Sequence, residues 1–120
     1  MTVYRKNLAT TLLFATVLAA LLCGALYLRP GFAASDAKAA VTIDNYAFGP
    51  RTLTVKRGTT VVWTNKDDDV HTVKSDEGPQ TFKSSALDTG DSFSVTFDKA
   101  GTYQYICSIH PHMQGTIIVQ

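Results

Sequence analysis

The stretch Gly101-Thr102-Tyr103-Gln104-Tyr105-Ile106-Cys107-Ser108-Ile109-His110-Pro111-His112-Met113 changes character halfway along. From Thr102 to Cys107 it alternates, with Tyr103, Tyr105 and Cys107 on one face, which is the period of a half-buried β-strand. From Cys107 onward it becomes a short loop carrying a thiol, an imidazole and a thioether at C-x-x-H-x-x-M spacing. Taken singly, each residue has a simpler reading. Cys107 would be an inert buried cysteine, His110 a surface histidine and Met113 core filler. Together, at a strand end and on a loop stiffened by Pro111, they point to one metal ion. Soft sulfur donors select copper, and two His with one Cys and a distant axial Met make an electron-transfer copper site. The second histidine must come from elsewhere, and His71 is the only one outside the loop.

Working outward, the same period-two pattern recurs. Gly115 opens a last strand, Thr116 to Val119. Upstream, Phe93, Val95 and Phe97 alternate with Ser92, Ser94 and Thr96 between the turns at Gly90-Asp91 and Lys99-Ala100-Gly101. Thr60 to Asn65 places Val61 and Trp63 on one face. Leu53 with Val55 and Val41 with Ile43 mark two earlier strands. Asn45 to Pro50 reads as a turn with Tyr46 and Phe48 over the core. Val70-His71-Thr72-Val73 reads as the separate strand that delivers His71. Lys74 to Gln80 reads as a polar loop, and Phe82 to Leu87 as a short irregular piece. The sum is an all-β sandwich of about seven strands over residues 41–120, with no helical periodicity after residue 40.

The N-terminus is of another kind. Arg5 and Lys6 precede an uncharged, largely apolar run from Leu8 to Leu28, stopped by Arg29-Pro30 and followed by small residues. That describes an N-terminal apolar helix over 1–33 serving as an export signal, and the run is also long enough to span a bilayer. Cleavage after Ala33 or Ala39 would release the domain. Retention would leave a membrane tether through residues 8–28, with residues 34–40 as a linker. Either outcome places the domain in the periplasm or otherwise outside the cytoplasm. A lipoprotein reading of Cys23 fails because Leu22 precedes it where a small residue is wanted. Residues 34–120 carry eight Lys/Arg against ten Asp/Glu, with no basic stripe, which argues against a nucleic-acid partner. Cys107 is then the lone thiol of an exported domain, and a metal would hold it as thiolate.

Residues 40–120 resemble the cupredoxins, the small blue copper proteins that include plastocyanin and amicyanin. The likeness rests on Val61-Val62-Trp63-Thr64-Asn65 followed by His71, on Phe82-x-Ser84 leading to Gly90-Asp91-Ser92-Phe93, and on Gly101-Thr102-Tyr103-x-Tyr105-x-Cys107. The very short ligand loop is most similar to that of amicyanin. The resemblance implies a Greek-key β-sandwich with one copper ion at one end, cycling between Cu(I) and Cu(II). It makes His71, Cys107 and His110 equatorial ligands and Met113 the weak axial one. It implies a monomer that moves single electrons between a redox protein donor and acceptor, a cytochrome or a dehydrogenase-like protein, through the exposed edge of His110. Pro50, Pro111 and Met113 would form part of an apolar docking rim.

Two positions depart from the family pattern. Thr72 stands where many members have an Asn that ties the ligand loops together, and its hydroxyl could bond Ser108 or a nearby amide. His112 stands where an apolar residue is usual. It reads as a solvent-exposed histidine, with a pH-sensitive docking charge or an alternative ligand as the sharper ideas. The run Asp67-Asp68-Asp69 reads as a solvated loop that could also steer a basic partner. The rival to an electron carrier is a copper-binding or delivery protein of the cell envelope, whose copper would have to exchange readily. No acid–base pair is placed for catalysis, so an enzyme is not expected. A multicopper oxidase needs more histidines, and a closed zinc site has no use for a thioether.

Overall fold

The computed structural model describes residues 37–120. The N-terminal apolar run, the 1–33 segment and the first part of the 34–40 linker lie outside the described residues. Eight strands follow in order: β1 (Lys38–Asp44), β2 (Ala47–Gly49), β3 (Thr52–Val55), β4 (Thr59–Asn65), β5 (Lys74–Glu77), β6 (Ser92–Phe97), β7 (Gly101–Ile106) and β8 (Gln114–Val119). They form two four-stranded sheets, ordered β2-β1-β4-β6 and β3-β8-β7-β5. Within the sheets β1 runs parallel to β4 and β3 parallel to β8, and the other pairs are antiparallel. No helix occurs among the described residues.

The alternation along each strand is what closes the sandwich. β4 buries Thr59, Val61, Trp63 and Asn65 in strict period two, and across the register Val61 meets Val95 while Trp63 meets Phe93. From the facing sheet come Tyr103 and Tyr105 of β7 and Ile117 and Val119 of β8. Trp63 packs edge-on against Tyr105 with ring centroids 5.4 Å apart, and Tyr105 packs in turn against Phe48 at 4.7 Å. Truncating a buried aromatic of this kind to alanine costs about 3–5 kcal/mol. Gly115, opposite Tyr105 in the β7–β8 register, has no side chain for a reason. A Cβ built there would lie 2.2 Å from Tyr105 Cζ and 2.3 Å from its hydroxyl oxygen, so the phenol passes over the strand only because the strand is bare.

Several sequence expectations need correcting. Among the described residues the strands number eight, where about seven were expected. β1 starts at Lys38, so Lys38–Ala40 are strand paired to Thr60–Val62 of β4 rather than linker. The Asn45–Pro50 turn contains β2, which closes a two-residue hairpin on β1. Lys74 to Glu77, taken as loop, is the edge strand β5, and its polar composition suits an edge on which only Ser75 is half-buried. Val70–Val73 is not a strand. His71 instead makes one isolated bridge with Leu87, its N–H donating at 3.2 Å and its carbonyl accepting at 2.8 Å.

Candidate metal centre

β7 ends at Ile106, and the chain turns at once. Met113 N–H donates to the His110 carbonyl at 2.9 Å, and Cys107 N–H donates to the Met113 carbonyl at 3.1 Å. These two bonds close Cys107–Met113 into a tight loop before β8 begins. His71 reaches the same place from across the sandwich. Its loop is built on Asn65, whose buried side-chain amide donates to the carbonyls of Asp69 (2.8 Å) and Leu87 (2.9 Å) and accepts the Asp67 N–H at 3.0 Å. A buried amide satisfied on all these sides fixes the path of residues 65–71.

The outcome is convergence. Cys107 Sγ lies 3.8 Å from His71 Nδ1 and 3.9 Å from His110 Nδ1, and the three donor atoms all fall within 4.8 Å of one another. Cys107 and His71 are fully buried, and His110 is partly exposed. Met113 is buried at the end of the same loop. Being buried, it is not part of an exposed docking rim. The apolar side chain most exposed at this end is Ile109, at 50%. His112 is exposed, its ring centroid 6.3 Å from that of His110, and it is not part of the donor cluster.

The surroundings of the sulfur favour its anion. Burial pushes the Cys107 thiol up, but the N–H groups of Thr72, His110 and Ile109 and the Thr72 hydroxyl outweigh it, and the net displacement is downward. Thr72 N–H lies 3.4 Å from Sγ. Its hydroxyl accepts the Ser108 N–H at 2.8 Å and sits 2.7 Å from Ser108 Oγ. Thr72 thus joins the two ligand-bearing loops, as its position beside His71 suggested.

The acidic run turns inward. Asp67 accepts the backbone N–H groups of Asn45 (2.5 Å) and Tyr46 (2.9 Å) and the His71 Nε2–H (2.8 Å). Desolvation pushes its carboxyl up, yet these partners together bring it below the usual carboxylate range. With Nε2 carrying the proton, His71 Nδ1 keeps its lone pair toward Cys107, the arrangement that a carboxylate partner imposes on metal-binding histidines. The Tyr46 hydroxyl donates to Asp69, a bond that pushes the phenol upward, with desolvation and the charges of Asp69 and Asp67 adding to it. Only Asp68 is left as a plain solvated charge.

Tyr46 itself does not lie over the core. It is 42% exposed, and its ring stands edge-on to both His71 (5.3 Å) and His110 (5.1 Å). Asn45 and Tyr46 both have positive φ, 50° and 56°, the mirror-image hairpin turn that usually takes Asn-Gly. An aromatic residue in that conformation is strained, and strain of this kind gathers at functional sites. The clasp by Asp67 and Asp69 holds it there. Sequence reading did not single out the roles of Tyr46 and Asp67. The one available signal was an Asn-aromatic pair at a tight turn where Asn-Gly would be ordinary.

Thiolate, two imidazoles and a buried thioether are the donor set of a type 1 copper site, and the residues fit that ion. Among the described residues no other cluster of metal-binding side chains forms.

Comparison with known proteins agrees with this geometry. The sequence model of the family described as Cupredoxin-like domain matches residues 12–119. Amicyanin of Paracoccus denitrificans is 34% identical over 96 residues, 76% of this chain and 73% of that protein. Amicyanin of Paracoccus versutus is 35% identical over 71 residues, 57% of this chain, and the match spans just over half (54%) of its length. Among solved structures, a purple cupredoxin from Nitrosopumilus maritimus superposes with a TM-score of 0.63 at 33% identity, covering 68% of this chain and 99% of that one.

Proposed function

The chain belongs to the cupredoxin family, and on that premise we propose that it is a blue copper electron carrier in which His71, Cys107, His110 and Met113 would hold the copper. The observation that carries the proposal is the meeting of His71 Nδ1 with Cys107 Sγ at 3.8 Å across 36 residues of chain. Copper held there supplies a one-electron couple between Cu(II) and Cu(I).

The chain's own residues do the rest. Asp67 orients His71, and the amides around Cys107 stabilise its thiolate. Asn65 and Thr72 fix the two loops against each other, which limits rearrangement of the donors between oxidation states. The burial of Cys107, His71 and Met113 leaves no approach for a substrate to the sulfur, which supports outer-sphere transfer. The partly exposed His110 edge is the exit, and the partners are redox proteins that meet this end, a cytochrome or a dehydrogenase-like protein among them. We read the strand connectivity as the family's Greek key, the protein as a monomer, and its location as extracytoplasmic, with residues 8–28 either removed or kept as a tether.

The test is an optical and paramagnetic-resonance spectrum of the copper-loaded protein. An intense blue band that disappears in Cys107→Ser, with copper lost only slowly to chelator, is the expected result. A colourless site that exchanges copper readily would replace this reading with copper delivery.

A further inference from the structure

Beside the ligand loop lies a cleft of about 200 Å³ that electron transfer does not use. Its floor is apolar: Phe48 of β2 and Met113 are both buried, and the ring of Tyr46 forms one wall. Its polar lining consists of Arg51, His112 and Gln114, and no carboxylate lines it. Among the described residues no Asp or Glu oxygen comes within ion-pair distance of the Arg51 guanidinium. The backbone beneath Arg51 is fixed, since its carbonyl accepts the Thr116 N–H at 2.8 Å at the start of the β3–β8 pairing.

The chemistry of this lining favours an anion, since it holds a cation and no carboxylate. A guanidinium offers five N–H donors, no acceptor and a charge that is never lost. The Gln114 amide brings two donors beside one acceptor oxygen, and the His112 ring adds at least one donor whichever nitrogen carries the proton. A planar anion with two oxygens complements a guanidinium fork, and the apolar floor suits a short alkyl group. The volume is below the range of pockets for drug-sized ligands. We propose that this cleft is a binding site for a small carboxylate bearing a short apolar tail. Met113 forms part of the floor, so an occupant would touch a residue assigned above to the copper. That coupling rests on the copper reading, whereas the cleft itself does not.

The experiment is an amide and guanidinium NMR titration of the copper(I)-loaded protein with acetate and then butyrate. The Arg51 Nε–H and Gln114 side-chain signals should shift and saturate, with butyrate several-fold tighter than acetate because its extra methylenes leave water. Arg51→Gln should weaken binding at least tenfold. Arg51 is exposed and pairs through its backbone, so an unchanged melting midpoint verifies the variant's fold, and Arg51→Lys, expected to keep part of the affinity, serves if it does not. Shifts that grow linearly without saturating, an equal response to chloride, or unchanged binding in both variants would overturn the proposal. In the oxidised protein the blue band should shift with the same midpoint. If no blue band forms, the electron-carrier reading fails while the NMR titration still judges the cleft.

Discussion

Replacing Asp67 by Asn tests how the buried histidine is held. The carboxylate receives three donors: Asn45 N–H on Oδ1, and Tyr46 N–H with His71 Nε2–H on Oδ2. Asparagine has nearly the same shape but only one acceptor oxygen. With that oxygen toward Asn45, its NH₂ faces two donors. Flipped, it still faces the Asn45 amide. At least one hydrogen bond to a charged group is lost, worth about 1.5–3 kcal/mol. One side of Asp67 faces solvent, so the lower part of that range applies, roughly 1.5–2 kcal/mol. For a domain of this size that lowers the melting midpoint by about 6–16 °C.

The second consequence is specific to the metal centre. The new NH₂ can donate to His71 Nε2, moving the ring proton to Nδ1, where it faces Cys107 and blocks coordination. Losing a carboxylate partner of this kind lowers metal affinity by roughly 10–100-fold. Copper affinity measured by chelator competition, beside urea unfolding of the metal-free protein, reads both effects. Asp68→Asn makes the same charge change at an exposed side chain and should alter neither. If Asp67→Asn matches Asp68→Asn within twofold in copper affinity, the carboxylate does not set the His71 tautomer and the reasoning is wrong.

Three further outcomes are expected. Gly115→Ala drives a methyl into the Tyr105 ring, and overpacking of this order costs about 1–3 kcal/mol. A urea midpoint unchanged from the parent would mean that the ring has room to move. Thr72→Val keeps the N–H toward Cys107 Sγ but removes the hydroxyl that receives Ser108 N–H. Leaving that donor unmet costs about 1–3 kcal/mol, and copper should leave the variant faster in a chelator chase than it leaves the parent. Burial pushes the Tyr105 phenol up to about 12, and neither its hydroxyl nor the Trp63 indole N–H has a hydrogen-bond partner. The neutral phenol is therefore the folded form. Its contribution is complete below pH 10 and is lost as pH rises through 12, in all about 3 kcal/mol. Tyr105→Phe should flatten much of that alkaline decline in urea stability, leaving the share due to Tyr103, whose phenol is raised by burial and by Asp98, and to Tyr46, raised by its bond to Asp69.

What could be read in advance follows from how far each signal travels along the chain. β4, β6 and β7 alternate cleanly because each has one face on the core, and Cys107, His110 and Met113 fall within seven residues, so strand and ligand loop were both legible. His71 was reachable by scarcity alone. β5 was not legible, because Lys74–Glu77 is wholly polar and its one half-buried residue, Ser75, leaves no apolar alternation. The start of β1 was hidden because the small Ala39 and Ala40 give little pattern, although they pair with Val61 and Val62. The deepest omission was the direction of the acidic run. Three adjacent aspartates look solvated in any local window. Asp67 is claimed by two amides 21 and 22 residues upstream only because β1 and β4 lie side by side, which brings the β1–β2 hairpin turn over the β4 exit. The same pairing sets Tyr46 against both imidazoles, so the turn, the acid and the histidine form one unit. A metal centre can thus announce its ligands in sequence while concealing what aims them, because ligands cluster along the chain and their supports cluster only in space.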